Sequence, residues 1–306
     1  MNSSADPLPV VLVTGASAGL GLAIARQLST LPYRLVFTAR ESSMGRFATA
    51  GITATDRIHL LPLEVAEVTQ RETTIREIER RWGGVDVLIN NAGVAYRAVA
   101  EHWDDAAWRD IMEVDVRAPL DLARLVLPGM RAKRAGRILN VSSVGGMMAM
   151  PTMSLYSAAK FALEGASESL WYEVRPWGVH VSLIEPGFIR SESFRNTRFT
   201  RSSFAAAMDH QNPYHAHYQY MATFIERMME RTFATPEKVS ARVVKTLQQS
   251  NPPLRVYATP DAHLFALLRR LLPRGMYHCI LYRALPDVRQ WGNGGSPGMT
   301  ADGVSG

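Results

Sequence analysis

Cysteine is almost missing. Cys279 is the single thiol in 306 residues, which excludes an internal disulfide framework and fits a reducing, cytoplasmic setting. Lysine is scarce too, with four among the 34 basic residues. The arginines behind the net charge of +6 are spread along the chain without interleaved aromatics, so no nucleic-acid surface is expected. No apolar run approaches the ~18 uninterrupted residues that span a bilayer, and the short polar start has no basic-then-apolar signal pattern. His210, His215 and His217 do not form a ligand pattern that supports a metal, and none is expected. Internal repeats are lacking. What is present is an ordinary globular composition, 47% apolar and 20% charged, enough for one large α/β domain.

Short β-branched runs alternate with helical patterns. Strands are expected at residues 10–13, 34–39, 58–63, 85–89, 137–141, 179–184 and 254–257. Helices are expected from the glycine turn through Leu28, and at 67–82, 103–111, 114–133, 154–175 and 236–249. This alternation predicts a doubly wound parallel sheet of Rossmann type, in three α/β/α layers with right-handed crossovers. Residues 1–286 read as a single domain. The segment 193–233 is rich in aromatics, Met and His, and reads as one or two helices forming a lid over the open end of the sheet. Residues 261–272 are strongly apolar with a basic spot at Arg269 and Arg270. Packing against the domain is preferred there over a dimer element, a wall of the ligand pocket or an interfacial membrane helix. Residues 287–306 are Gly/Ser-rich and read as a disordered tail.

The first strand runs straight into a turn containing Gly15, Ser17, Ala18, Gly19, Leu20 and Gly21, then a helix. Strand, glycine turn and helix suit a pyrophosphate, because glycine permits close backbone approach and the helix start presents free N–H groups. The second strand ends at Ala39, with Arg40 next. An acidic residue there would grip a ribose 2′-hydroxyl, whereas arginine pairs with a 2′-phosphate, so NADP is preferred over NAD. Glu64 and Val65 follow the third strand, and Asn91, Ala92 and Gly93 the fourth. Tyr156 and Lys160 are four apart and share a helix face, and Ser143 lies in the loop after the fifth strand. A free phenol titrates near ~10, and a neighbouring ammonium favours the phenolate, which suits general acid/base work.

Taken together, these motifs resemble the short-chain dehydrogenase/reductase family in its single-domain form. The glycine turn, Asn90 to Gly93, Ser143, Tyr156 with Lys160, and Pro186-Gly187 occur in the family's order, over roughly residues 10–257. The resemblance implies that Tyr156 exchanges a proton with the substrate oxygen, Ser143 hydrogen-bonds that oxygen, and Lys160 binds the nicotinamide ribose. It implies that Gly15, Ser17, Leu20 and Gly21 line the phosphates, with Asn91 to Gly93 on the adenosine side, and that Pro186, Gly187, Ile189 and Ser191 seat the nicotinamide. Asp115 stands where many members carry a catalytic Asn, and Glu64 where Asp is usual. The residues around Ser143 and after Lys160 look like the branch holding 17β-hydroxysteroid and retinol dehydrogenases.

The expected function is therefore NADP(H)-dependent interconversion of an alcohol and its ketone or aldehyde on a lipophilic substrate. The alternatives are a 3-ketoacyl thioester reductase and a non-catalytic NADP-binding sensor or scaffold. The resemblance also implies a homodimer or homotetramer through the helices at 114–133 and 154–175.

Overall fold

The computed structural model describes residues 8–191 and 196–292 of the 306. The chain runs β1 (Val10–Val13), α1 (Gly19–Ser29), β2 (Arg34–Ala39), α2 (Gly45–Thr49), β3 (Ile58–Pro62), α3 (Val68–Trp82), β4 (Val87–Asn90), β5 (Tyr96–Arg97), α4 (Asp105–Met112), α5 (Ala118–Lys133), β6 (Gly136–Val141), α6 (Ser154–Val174), β7 (Val179–Glu185), β8 (Arg198–Phe199), α7 (Arg201–Met208), α8 (His215–Arg231), α9 (Pro236–Gln248), β9 (Arg255–Tyr257), α10 (Pro260–Leu271) and α11 (Arg274–Ala284).

Seven strands form one parallel sheet in the order β3-β2-β1-β4-β6-β7-β9, as the alternating pattern predicts. Both faces are covered, which is why β1 is apolar at every position. Val11, Val13, Leu35 and Phe37 face α1 and α9 through Ile24, Leu28, Val243 and Leu247. Val10, Leu12, Val36 and Leu88 face α3 and α5 through Ile75, Ile78, Leu122 and Val126. The chain reverses direction across the sheet between β1 and β4, so the loops after these strands open a crevice at their carboxyl ends.

Several details depart from the pattern. The expected gap between helices at 111–114 is a π turn, Glu113–Arg117, that joins α4 to α5 and carries Asp115. β5 and β8 make a separate two-stranded sheet that ties the segment before α7 to the loop after β4. α11 was not expected; Gly275 near its start and a weak apolar period hide it. Of the segment read as a disordered tail, Val288–Gln290 instead forms a helical turn, and Trp291 packs with Met221 and Phe224 of α8. Residues 293–306 of that tail, like Ser193 at the start of the expected lid, lie outside the described residues.

α8 packs its buried Met221 and Ile225 on Phe188, with Met150 and Met153 of the loop before α6 in the same cluster. α10 and α11 pack Phe265, Leu268, Tyr277 and Leu281 on Val144, Met147 and Met148 of that loop. The methionine-rich loop is thus gripped from two sides. Among the described residues no helix is long and apolar enough to cross a membrane.

Candidate active site

The turn after β1 is stitched to the end of β4. Thr14 Oγ1 accepts from the backbone N–H groups of Asn91 (3.0 Å) and Ala92 (3.1 Å). Asn91 Nδ2 donates to the carbonyls of Thr14 (3.0 Å) and Gly15 (3.1 Å). Gly15 has φ of 65°, a conformation that favours glycine. A Cβ on Gly21 would lie 2.1 Å from the Gly15 carbonyl oxygen and 2.5 Å from Asn91 Nδ2. Ser17 is buried, whereas Ala18 and Gly19 are exposed at the start of α1, where Ala18 is the extended cap residue. This cradle of small residues beneath a helix N-terminus fits a dinucleotide pyrophosphate. Gly21→Ala is expected to force the cradle open, costing roughly 1–3 kcal/mol of stability together with nucleotide binding. Thermal melts and cofactor titration check this; unchanged affinity would remove the turn from the site.

Arg40 is exposed directly after β2, beside an open cavity of about 860 Å³. Ser42 lines that cavity, as do the carboxylates of Glu41, Glu64 and Glu77. The Glu64 N–H is held by Gln70 Oε1 at 2.8 Å, and the Val65 carbonyl accepts from the buried Arg71. Arg71 also bonds Glu113 (2.9 Å) and Asp121 (2.9 Å), tying this corner to the π turn. In the sequence Arg71 reads as one more charge on a solvated helix; only the fold shows that it is inside.

At the centre, the Lys160 ammonium is buried. It donates to the Val141 carbonyl at 3.2 Å and pairs with Asp115 Oδ2 at 3.1 Å. Asp115 Oδ1 accepts from the Val94 N–H at 2.7 Å. Burial pushes the Asp115 carboxyl up, with Lys160 and the Val94 N–H pulling it back. Burial opposes the Lys160 charge, but the Asp115 carboxylate and Tyr156 outweigh it and hold its pKa above the ordinary range. Lys160 Nζ lies 5.7 Å from the Tyr156 ring centroid.

Ser143 ends the run from β6 and caps the turn Val144–Gly146. Its Oγ accepts from the Gly145 N–H at 3.0 Å, which leaves its own proton to donate. A Cβ on Gly145 would lie 2.9 Å from Tyr156 Cε1, so glycine lets this turn rest on the phenol ring. Ser143, Tyr156, Lys160 and Asp115 therefore converge where β4, β6 and α6 meet.

The loop after β7 closes the other side. The Pro186 carbonyl accepts from Val144 N–H at 2.7 Å, the Gly187 N–H donates to Thr259 Oγ1 at 2.8 Å, and the Phe188 N–H donates to Asp261 Oδ2 at 2.8 Å. A Cβ on Gly187 would lie 1.9 Å from Asp261 Oδ2. Ile189 is half-buried on this loop and Ser191 follows it. Arg40, Glu64 and Val65 lie apart, past the ends of β2 and β3.

Sequence reasoning passed over the support beneath Ser143. Ser142 Oγ donates to Glu164 Oε1 at 2.7 Å. Arg255 Nη1 bonds Glu164 Oε2 at 2.7 Å and Glu185 Oε1 at 2.6 Å, and Arg255 Nη2 bonds Glu168 at 3.3 Å. Glu185 is fully buried; burial and the neighbouring Glu164 push its pKa up to about 7. The one available signal is a glutamate at the end of a strand whose neighbours Leu183 and Ile184 are apolar. His210 and His215 have ring centroids 4.3 Å apart, and His217 lies against Trp291. Among the described residues no cluster could hold a metal ion.

A family model of the short chain dehydrogenase matches residues 9–202. The chain is 32% identical to a 3-ketodihydrosphingosine reductase of Bacteroides thetaiotaomicron over 268 residues, 87% of this chain and 94% of that protein. It is 31% identical to human 17-beta-hydroxysteroid dehydrogenase type 1 over 257 residues, 82% of this chain and 77% of that one. A crystal structure of a Streptomyces avermitilis short-chain dehydrogenase superposes with a TM-score of 0.74 at 29% identity, covering 94% of this chain and 97% of the other. The seven-stranded sheet, the glycine cradle and this agreement of model and relatives lead to one conclusion: the chain belongs to the short-chain dehydrogenase/reductase family, whose members are NAD(P)-binding oxidoreductases.

Proposed function

We propose that the protein interconverts a lipophilic secondary or primary alcohol and its ketone or aldehyde, using NADP(H). The observation that carries this reading is the buried Lys160 ammonium 5.7 Å from the centre of the Tyr156 ring, with the turn that holds the Ser143 hydroxyl resting on the same ring through Gly145. The Ser143 hydroxyl donates to the substrate oxygen and orients the carbonyl. The Tyr156 hydroxyl gives its proton to that oxygen during reduction and accepts it during oxidation. Lys160 supplies positive charge beside Tyr156 and reaches the ribose hydroxyls, and Asp115 with Val141 keeps the ammonium in place. The bound nicotinamide supplies or takes the hydride. Gly15, Ser17 and Leu20 with Gly21 hold the phosphates, Asn91 to Gly93 flank the adenosine, and Pro186 to Ser191 seat the nicotinamide.

The lipophilic assignment is supported by the apolar and methionine side chains around Phe188 and Met153, under α8 of the lid. Relatives named for a ketodihydrosphingosine and a hydroxysteroid support it too. The test is turnover of a panel of hydrophobic ketones with NADPH, followed by nicotinamide absorbance. Tyr156→Phe is expected to lower kcat at least about a hundredfold while NADPH affinity holds. Cofactor binding with no Tyr156-dependent turnover would favour a sensor. Faster reduction of acyl thioesters than of free ketones would favour a ketoacyl reductase.

NADP preference is supported by Arg40 and Ser42, against the neighbouring Glu41 and Glu64. Arg40→Asp is expected to weaken NADPH binding roughly ten- to a hundredfold and to spare NADH, since a charge-assisted pair is exchanged for repulsion. Equal affinity in the variant would take Arg40 out of the phosphate site. We also propose a homodimer or homotetramer through α5 and α6. These helices flank an open groove of about 510 Å³ lined by Leu120, Leu127, Pro128, Leu170 and Trp177.

A further inference from the structure

The helix pair α10–α11 is packed on one face only. Its inner face covers Val144, Met147 and Met148. Its outer face leaves Leu264 54%, Leu267 52%, Leu271 68%, Met276 48% and Ile280 45% exposed. On α10 the three leucines fall at i, i+3 and i+7, one continuous stripe, and on α11 Met276 and Ile280 fall at i and i+4. Tyr282 adds an exposed aromatic at the end of α11.

The one acid of the pair, Asp261 at the start of α10, is turned inward onto the Phe188 N–H, so beyond it the charge is of one sign. From 262 to 285 there are four arginines and no Asp or Glu. Arg269 stacks over Phe161 of α6, 5.2 Å from its ring centroid. Arg270, Arg274 and Arg283 are exposed, and among the described residues no carboxylate pairs with them. An aliphatic stripe between arginines, free of acidic groups, is the makeup of a helix that lies in the headgroup region of a bilayer. A second copy is a poor occupant. A two-fold contact sets the same patch against itself, which would bring Arg270, Arg274 and Arg283 against their own copies with no acid between them. An acidic protein would satisfy the charge but would need polar complements where this face offers leucine, methionine and isoleucine.

We propose that the outer face of α10–α11 docks this protein on anionic membrane surfaces, with the leucine stripe sunk below the headgroups and the arginines paired to lipid phosphates. The docking does not depend on the substrate assigned above and is measured without turnover. The probe is large unilamellar vesicles of phosphatidylcholine, alone or mixed with phosphatidylglycerol, sedimented with the full-length protein. A fluorophore on Cys279, the only thiol and an exposed one, reports insertion between Met276 and Ile280.

The expected result is sedimentation with the anionic vesicles, a blue shift of the label, and release as salt is raised. Arg270→Gln with Arg274→Gln is expected to lower partitioning on the order of tenfold or more, and Leu267→Asn with Leu271→Asn by a similar factor. All four sites are exposed, so the thermal melts and NADPH affinity of both double variants should match the parent. Failure to bind either vesicle would overturn the proposal, as would binding that neither double variant weakens. A lower solution mass for the leucine variant would assign the face to a second copy instead. Capture of purified acyl carrier protein without vesicle binding would assign it to an acidic protein; both results reject membrane docking.

Discussion

Lys160→Met is expected to lose turnover by roughly a thousandfold and, separately, about 3–5 kcal/mol of stability. The two losses have different causes. Turnover falls because the ammonium beside Tyr156 is gone. Stability falls because Asp115, 1% exposed, keeps its charge or takes up a proton with no partner at Oδ2. A buried carboxylate stripped of its cation is among the costliest single changes a fold can suffer. Asp115→Asn separates these effects. An asparagine oxygen still accepts from the Val94 N–H, and the amide has no charge to compensate. Adding Asp115→Asn to Lys160→Met should therefore restore at least about 2 kcal/mol without restoring turnover, a coupling that a double-mutant cycle in urea reads directly. Additive losses would mean that the 3.1 Å pair does not hold the site together.

Arg255→Met is expected to cost a similar 3–5 kcal/mol near pH 8, and clearly less near pH 5.5. Arg255 is the cation shared by Glu164 and Glu185, and its removal leaves two buried acids facing one another. The pH dependence follows from Glu185. Its folded pKa of about 7 lies above its ordinary value. Between the two the native state holds a proton that the unfolded chain has released, so stability is fully present at low pH and declines as pH rises through about 7. Removing Arg255 takes away the charge that pulls this pKa down, and so deepens the decline and carries it to higher pH. Glu185→Gln should flatten it in both backgrounds. Urea melts at several pH values between about 5 and 8 test this, and a pH-independent Glu185→Gln difference would exclude the titration.

The strands were readable because a parallel sheet covered on both faces demands unbroken apolar runs, as at Val10–Val13 and in the Leu35, Val36 and Phe37 of β2. Ser143, Tyr156 and Lys160 were readable because their partnership is local, one helix turn and one loop. What was hidden is what only distance in the chain can supply. Nothing near Glu185 announces Arg255, which arrives through the β7–β9 pairing of Leu183 with Arg255. Nothing near Gly187 announces the carboxylate of Asp261 that fills the space a Cβ would need. Asp115 was found by its place in the order of motifs, but its π turn was not, since a one-residue bulge leaves the helical period almost unchanged. The apolar run at 261–272 was read as packed; in the fold it is packed on one side and bare on the other, because its period suits two faces at once.

The shared guanidinium also bears on how the protein is made. Every motif residue from Gly15 to Ser191 leaves the ribosome before Arg255 does, and β9 is the last strand of the sheet in chain order. A nascent chain that ends short of it holds Glu164 and Glu185 without their counter-ion, so the floor beneath Ser143 sets only once β9 joins β7. A truncated product ending anywhere in that interval would carry a complete set of signature residues and no working fold, and quality-control proteases would see it as unfinished.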